Sequence, residues 1–207
     1  MLLAGFGESQ ALSERNEADL DDAYSPHGTS TWPHNPITLY TAGTSNGMLG
    51  GCYGPPWMRQ CVPGGREALD ESCKEAKPAN LDTENVRAFI TVSSLDSIEN
   101  MPQAYGVPTD RPIVSPIGVR IAKSWADLMD GRIHKSLSQA GVIPPGTDSQ
   151  WWVGNPEANC NGWSWTPLAG IFYGMIGSAE SADAAWMYSG WDACGLLASH
   201  HHLCLSY

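Results

Sequence analysis

A chain of 207 residues with 42% hydrophobic content has the material for one good core, or two small ones, and a loose arm. Its 22 acidic against 11 basic residues give a formal net charge of −11, which argues against nucleic acid, anionic membranes and heparin-like polyanions as partners. Charged residues make up only 16% while Gly (22) and Pro (15) are abundant, a balance that suits irregular loops pinned by turns and cross-links outside the cytoplasm.

Residues 1–35 are acidic and small polar (SERNEADLDDAYSPHGTS) with no apolar period, and read as a flexible acidic arm ahead of a folded domain over 36–207. The opening MLLAGFGESQ has no basic n-region, and Gly and Glu interrupt its short apolar run, so it does not read as an export signal. ITLYT, from Ile37, alternates β-branched and aromatic residues and is the expected first strand, ended by the turn-prone AGTSNG. CYGPPWMRQC then places a Gly-Pro-Pro turn between Cys52 and Cys61, which favours a local loop closed by these two residues.

REALDESCKEA (66–76) is the strongest helical stretch: Gly64-Gly65 precede it, Pro78 follows it, and Leu69, Cys73 and Ala76 share one face. VRAFITV (86–92) reads as a central strand, and SSLDSIENMPQAYGVPTDRPIV as a turn-rich surface wrap. SWADLMD (124–130) predicts a short helix capped by Ser124 in an S-x-x-D box, with Trp125, Leu128 and Met129 on one face and Gly131 as its stop. Trp151-Trp152-Val153 and the terminal HLCLSY are the last expected strands, while the three histidines before the latter, His200, His201 and His202, read as solvated turn residues. No apolar run approaches the length of a bilayer span, so no membrane insertion is expected.

The segment from Trp151 to Tyr207 holds six of the nine Trp and three of the six Cys, and reads as an aromatic core closed by disulfides. An even cysteine count without a C-x-x-C pair favours disulfides over zinc, and with them an oxidising compartment: a secreted or cell-surface protein.

The order MLGG, ALDESCKEA, VRAFI, RPIV, SWADLMDG, WWVG, Cys194 and HLC resembles the endostatin-like domains of collagens and related bacterial surface-protein domains of unknown function. These share the C-type lectin-like fold, and the likeness runs from about Ile37 to Tyr207. WWVG is also similar to the W-I-G-L strand of C-type lectins, and WDAC to their W-N-D-x-x-C segment. The resemblance implies an α+β fold, two helices on a twisted, mainly antiparallel sheet, and the nested disulfides Cys73–Cys204 and Cys160–Cys194; the Cys52/Cys61 pair is an insertion relative to that pattern. The basic heparin-binding surface of collagen endostatins has no counterpart in this acidic chain. The E-P-N ligand motif of true lectins is missing, since Asn155-Pro156-Glu157 follows the W-V-G strand too closely to match it.

Four groups of residues offer chemistry. Trp163 and Trp165, flanked by Asn159 and Asn161, would on a strand present both rings to one side and stack on a ligand; the same spacing serves core packing beside Cys160. Asp192 and Glu157, with Asn159 and Asn161, carry the oxygens a calcium ion takes, although an aspartate beside Cys194 equally serves a turn backbone. His27 and His34, with the His200–His202 run, are imidazoles of the kind that bind zinc. Ser199 beside His200 is the one nucleophile–base adjacency, and neither a G-x-S-x-G elbow nor H-E-x-x-H is present, so no enzyme is expected. The functional expectation is a non-catalytic extracellular recognition module for a protein or glycan, with a structural or assembly domain as the competing reading.

Overall fold

Strand β1 (Ile37–Ser45) starts where the alternating ITLYT pattern does, and the chain closes on β10 (His200–Ser206), its antiparallel neighbour from Thr38↔Ser206 to Ser45↔His200. The computed structural model describes residues 35–47, 51–53, 60–62, 64–145, 148–164, 172–195 and 198–207, with the backbone alone at 51–53 and 60–62. Apart from Asn35, the expected acidic arm lies outside the described residues.

Between these two strands come β2 (Gly51–Tyr53), β3 (Gln60–Val62), helix α1 (Arg66–Glu75), β4 (Val86–Ala88), α2 (Met101–Tyr105), β5 (Ile113–Val114), β6 (Arg120–Ala122) and α3 (Trp125–Leu128). They are followed by β7 (Gln150–Trp152), a helical turn at Cys160–Trp163, β8 (Tyr173–Ser178), a 3-10 turn at Ala184–Trp186 and β9 (Gly190–Ala193). The fold is α+β. Among the described residues one main sheet runs β6-β5-β1-β10-β7-β8-β9, with β4 on β10 as well, and β2 pairs β3 in a ribbon.

Most pairings are antiparallel, as expected, but β1–β5 and β10–β7 are parallel. The edge of β10 away from β1 is shared: β7 takes its start at His201↔Trp151, and β4 its end from Cys204↔Ala88 to Ser206↔Val86.

Successive strand residues point to opposite faces, and the core accordingly divides in two. Leu39, Trp151, Leu203 and Leu205 join a cluster with Phe89, Trp125 and Trp186, in which Phe89, Trp151 and Trp186 stack with centroids 5.7–6.3 Å apart. Tyr40, Trp152 and Cys204 join the other cluster with Leu69, Cys73, Cys160 and Trp163. Helix α1 docks there through Leu69 and Cys73, and the Tyr40 hydroxyl donates to the Cys73 carbonyl at 2.7 Å.

Two disulfides join Cys73 to Cys204 and Cys160 to Cys194, each with Cα atoms 5.6 Å apart. Cys52 stands directly opposite Cys61 in the β2–β3 register; their side chains lie outside the described residues. Arg66 ties α1 to its surroundings, donating to both Asp96 carboxylate oxygens (3.0 and 2.6 Å) and to the carbonyls of Ala88 (2.5 Å) and Ile90 (2.7 Å). Asp70 accepts from the Ala88 amide and Arg87, while burial raises its carboxyl above the usual range.

Three expectations are corrected. The 86–92 strand is regular only over Val86–Ala88, because Phe89 bonds the Leu203 carbonyl whereas Thr91 turns to Val153. The stretch read as a surface wrap contains α2 and β5 and sends Ile98, Met101, Val107 and Ile113 into the core. The three histidines open β10 and are buried. Helix α3 keeps its expected cap, with Ser124 Oγ accepting from the Asp127 amide at 3.2 Å.

Candidate functional site

Strand alternation sends His200 and His202 to one face of β10 and His201 to the other, and each finds its own partner. His202 Nε2 lies 3.0 Å from Ser72 Oγ on α1, and burial pushes this imidazole down to about 4. The ring is therefore neutral near pH 7, and no carboxylate hydrogen-bonds it among the described residues. The Ser72–His202 contact joins α1 to β10. His201 Nδ1 lies 3.0 Å from Thr41 Oγ1, and burial lowers its pKa as well, against the pull of Asp148.

His200 is different: Nδ1 is 2.6 Å from Asp148 Oδ2, and Nε2 is 2.7 Å from Asp192 Oδ2. Its side chain is 7% exposed, and its ring meets that of Trp152 edge-on with centroids 4.6 Å apart. Asp148 comes from the turn before β7, where its other oxygen accepts from the Gln150 amide at 3.0 Å. Asp192 comes from the edge strand β9, and its other oxygen accepts from the Ala193 amide at 2.7 Å. One imidazole thus spans a turn and a sheet edge. A glycine opposite Asp192 allows this close packing: a Cβ on Gly174 would lie 2.7 Å from the Trp152 ring and 2.9 Å from Cys160 Sγ.

On the other face of the same hairpin the surface is aromatic. Tyr173 and Trp191 alternate with Gly174 and Asp192, so both stand away from the His200 side. Trp191 Nε1 donates to Tyr188 Oη at 3.0 Å, and the two rings meet edge to face at 6.0 Å and 81°. Tyr173, Tyr188 and Trp191 are each about half exposed, and they are three of the five exposed large hydrophobic side chains among the described residues.

Trp163 is fully buried, in van der Waals company with Trp152 and Cys160, and its indole donates to the Thr91 carbonyl at 2.8 Å. It sits on a left-handed turn instead of a strand: φ is 52° at Cys160, 58° at Asn161, 66° at Gly162 and 60° at Trp163. Non-glycine residues resist this geometry; the turn is held by the Cys160–Cys194 bridge, by Asn159 Oδ1 accepting from the Gly162 amide at 2.8 Å, and by the burial of Trp163. Trp165, His27 and His34 lie outside the described residues.

Asn161 and Glu157 are exposed, Asn159 is spent on its turn, and Asp192 uses both carboxylate oxygens within the protein. The nearby Asn155 Oδ1 accepts from the Glu157 and Ala158 amides. Among the described residues no group of three His, Cys, Asp or Glu side chains is placed to hold a metal ion, and no helix is long and apolar enough to cross a membrane.

Two features escaped the sequence reading. The Asp148–His200–Asp192 chain joins a turn before β7, β10 and the edge strand β9, with Asp148 52 residues from His200. Trp191 falls in the segment read as an aromatic core, and nothing in the sequence marks it and Tyr188 as an exposed pair. The chain matches no family model and no curated protein.

Proposed function

We propose that this is a non-catalytic recognition module of the cell exterior, built on a C-type lectin-like scaffold, which takes an uncharged glycan on the Trp191–Tyr188–Tyr173 surface. The exposed aromatic pair carries this reading. Sugars offer C–H faces that stack on aromatic rings, and an indole fixed by a hydrogen bond to its neighbour presents such a face at low entropic cost. A protein partner would need roughly 800 Å² of complementary surface, and this patch is a few rings with no aliphatic surround among the exposed large side chains. The net charge of −11 disfavours sulfated or uronate-rich glycans. The two long-range disulfides support the extracellular setting, and their nesting supports the lectin-like scaffold.

A glycan array run with and without calcium tests this directly. Binding of neutral glycans that falls about tenfold in Trp191→Ala, the order expected when one stacked ring is removed, supports the proposal. Failure to bind any neutral glycan, or binding indifferent to Trp191→Ala, overturns it. The competing reading, a structural or assembly domain, draws on the burial of Trp151, Trp152, Trp163 and Trp186, which spends four of the six Trp of the segment from Trp151 to Tyr207 on the core.

A further inference from the structure

The His200 contacts have a consequence that depends on protons. Both ring nitrogens face a carboxylate oxygen, at 2.6 and 2.7 Å. An imidazole donates from both nitrogens only when it carries both protons; the neutral ring has one donor and one lone pair. We infer that His200 is a proton-operated latch that fastens the edge strand β9 to the sheet when doubly protonated and lets go of Asp192 when it loses a proton.

The asymmetry of the two carboxylates decides which bond opens. Asp148 is the less exposed (32% against 43%) and is anchored in the turn before β7, where its second oxygen takes the Gln150 amide. Asp192 lies on β9, which ends the sheet and among the described residues has β8 as its one strand neighbour. The neutral ring keeps its proton on Nδ1 toward Asp148, leaving the Nε2 lone pair against an ionised Asp192, and that carboxylate turns toward water. His201 on the same strand couples electrostatically to Asp148 and His200, the facing residue of β1 is the uncharged Ser45, and the Trp152 edge adds no ionisable group. The Cys160–Cys194 bridge holds the chain two residues beyond Asp192, so the Asp192 carboxylate turns from the ring without β9 leaving the sheet. Trp191 is the neighbour of Asp192, so the latch also sets how firmly the exposed indole is held. As regulation of glycan binding this rests on the recognition reading proposed above; as a movement of β9 it stands on the hydrogen bonds alone.

The test reads β9 without any ligand. Hydrogen-exchange protection factors are measured at about pH 5 and about pH 8, the interval across which histidine changes charge. The probes are the Ser189 and Cys194 amides, which bond the Ile176 and Phe172 carbonyls at the two ends of β9, and the Leu69 amide of α1 serves as the reference for global stability. In the unmodified chain, protection at Ser189 and Cys194 relative to Leu69 is expected to fall about tenfold or more from the lower to the higher pH, as the loss of a charge-assisted bond implies. His200→Gln has one donor and one acceptor and cannot bridge two carboxylates, so both probes should be weakly protected at both pH values. Asp192→Asn replaces an oxygen by an amide that donates to the Nε2 lone pair of the neutral ring, so the fall should disappear with β9 still protected. Equal relative protection at both pH values in the unmodified chain, or a fall that survives Asp192→Asn, overturns the latch. A latch that opens in a protein binding no neutral glycan would retire the recognition reading and leave the latch standing.

Discussion

Removing the Cys73–Cys204 bridge, by Cys73→Ala with Cys204→Ala, should destabilise the protein more than removing Cys160–Cys194 in the same way. The outer bridge spans 131 residues and the inner one, nested inside it, spans 34. With the inner bridge intact the effective outer loop is about 100 residues, for which loop entropy gives about 4.7 kcal/mol, against about 3.8 kcal/mol for the inner loop. Packing acts in the same direction: Cys73 and Cys204 are fully buried, whereas Cys194 retains slight exposure. The outer bridge also joins α1 to the central strand β10, which holds β1, β4 and β7 together. Urea unfolding followed by tryptophan fluorescence, with the buried indoles as reporters, measures both losses on one scale. Equal losses, or a larger loss from the inner pair, would refute the view that loop length and the anchoring of β10 set the order.

Other consequences are independent of this one. The His202 pKa, depressed to about 4, means that below the unfolded value of about 6.5 the unfolded chain binds a proton the folded chain does not; stability is full above that value and falls as the pH drops through the window, by about 3 kcal/mol at most. The lowered pKa of His201 adds in the same direction, and His202→Gln should flatten the profile in denaturant titrations between about pH 4 and 7. Arg66→Ala leaves Asp96 and two backbone carbonyls unpaired and should cost about 2–4 kcal/mol, with Arg66→Lys recovering only part because an ammonium cannot make the forked contact; a loss within about 0.5 kcal/mol would show that water replaces the guanidinium. Gly154→Ala puts a methyl 2.5 Å from the Thr91 carbonyl oxygen and 2.8 Å from Trp163 at a φ of +70°, and should lower the thermal midpoint by an amount equivalent to about 2 kcal/mol or more.

What the sequence determined by itself is local and periodic. REALDESCKEA carries its helix and its buried face because Leu69 and Cys73 recur at helical spacing, and SWADLMD carries its own cap in Ser124. ITLYT and HLCLSY alternate with the period of a strand, so β1 and β10 were legible, and the left-handed φ at Gly106 and Gly131 fits the turns read around them. The tertiary structure decided everything that depends on which strand lies beside which. HLCLSY alone does not say that its strand begins two residues earlier; that follows from the neighbours, since β1 and β7 pair with the His200–His201 end and supply the backbone partners a buried strand requires. Once buried, the histidines had to find side-chain partners, and Asp148 and Asp192, about 50 residues before and 8 residues before His200, became partners through the folded sheet. The left-handed turn at Cys160–Trp163 was equally out of reach, because Cys160 and Trp163 disfavour that geometry and a disulfide, the Asn159 cap and a buried indole offset the cost. Trp163 and Trp191 are the same residue type in the same rich segment, and their opposite fates follow from position in the fold: one fills the space between β7 and the turn, and the other stands on the outward face of an edge strand.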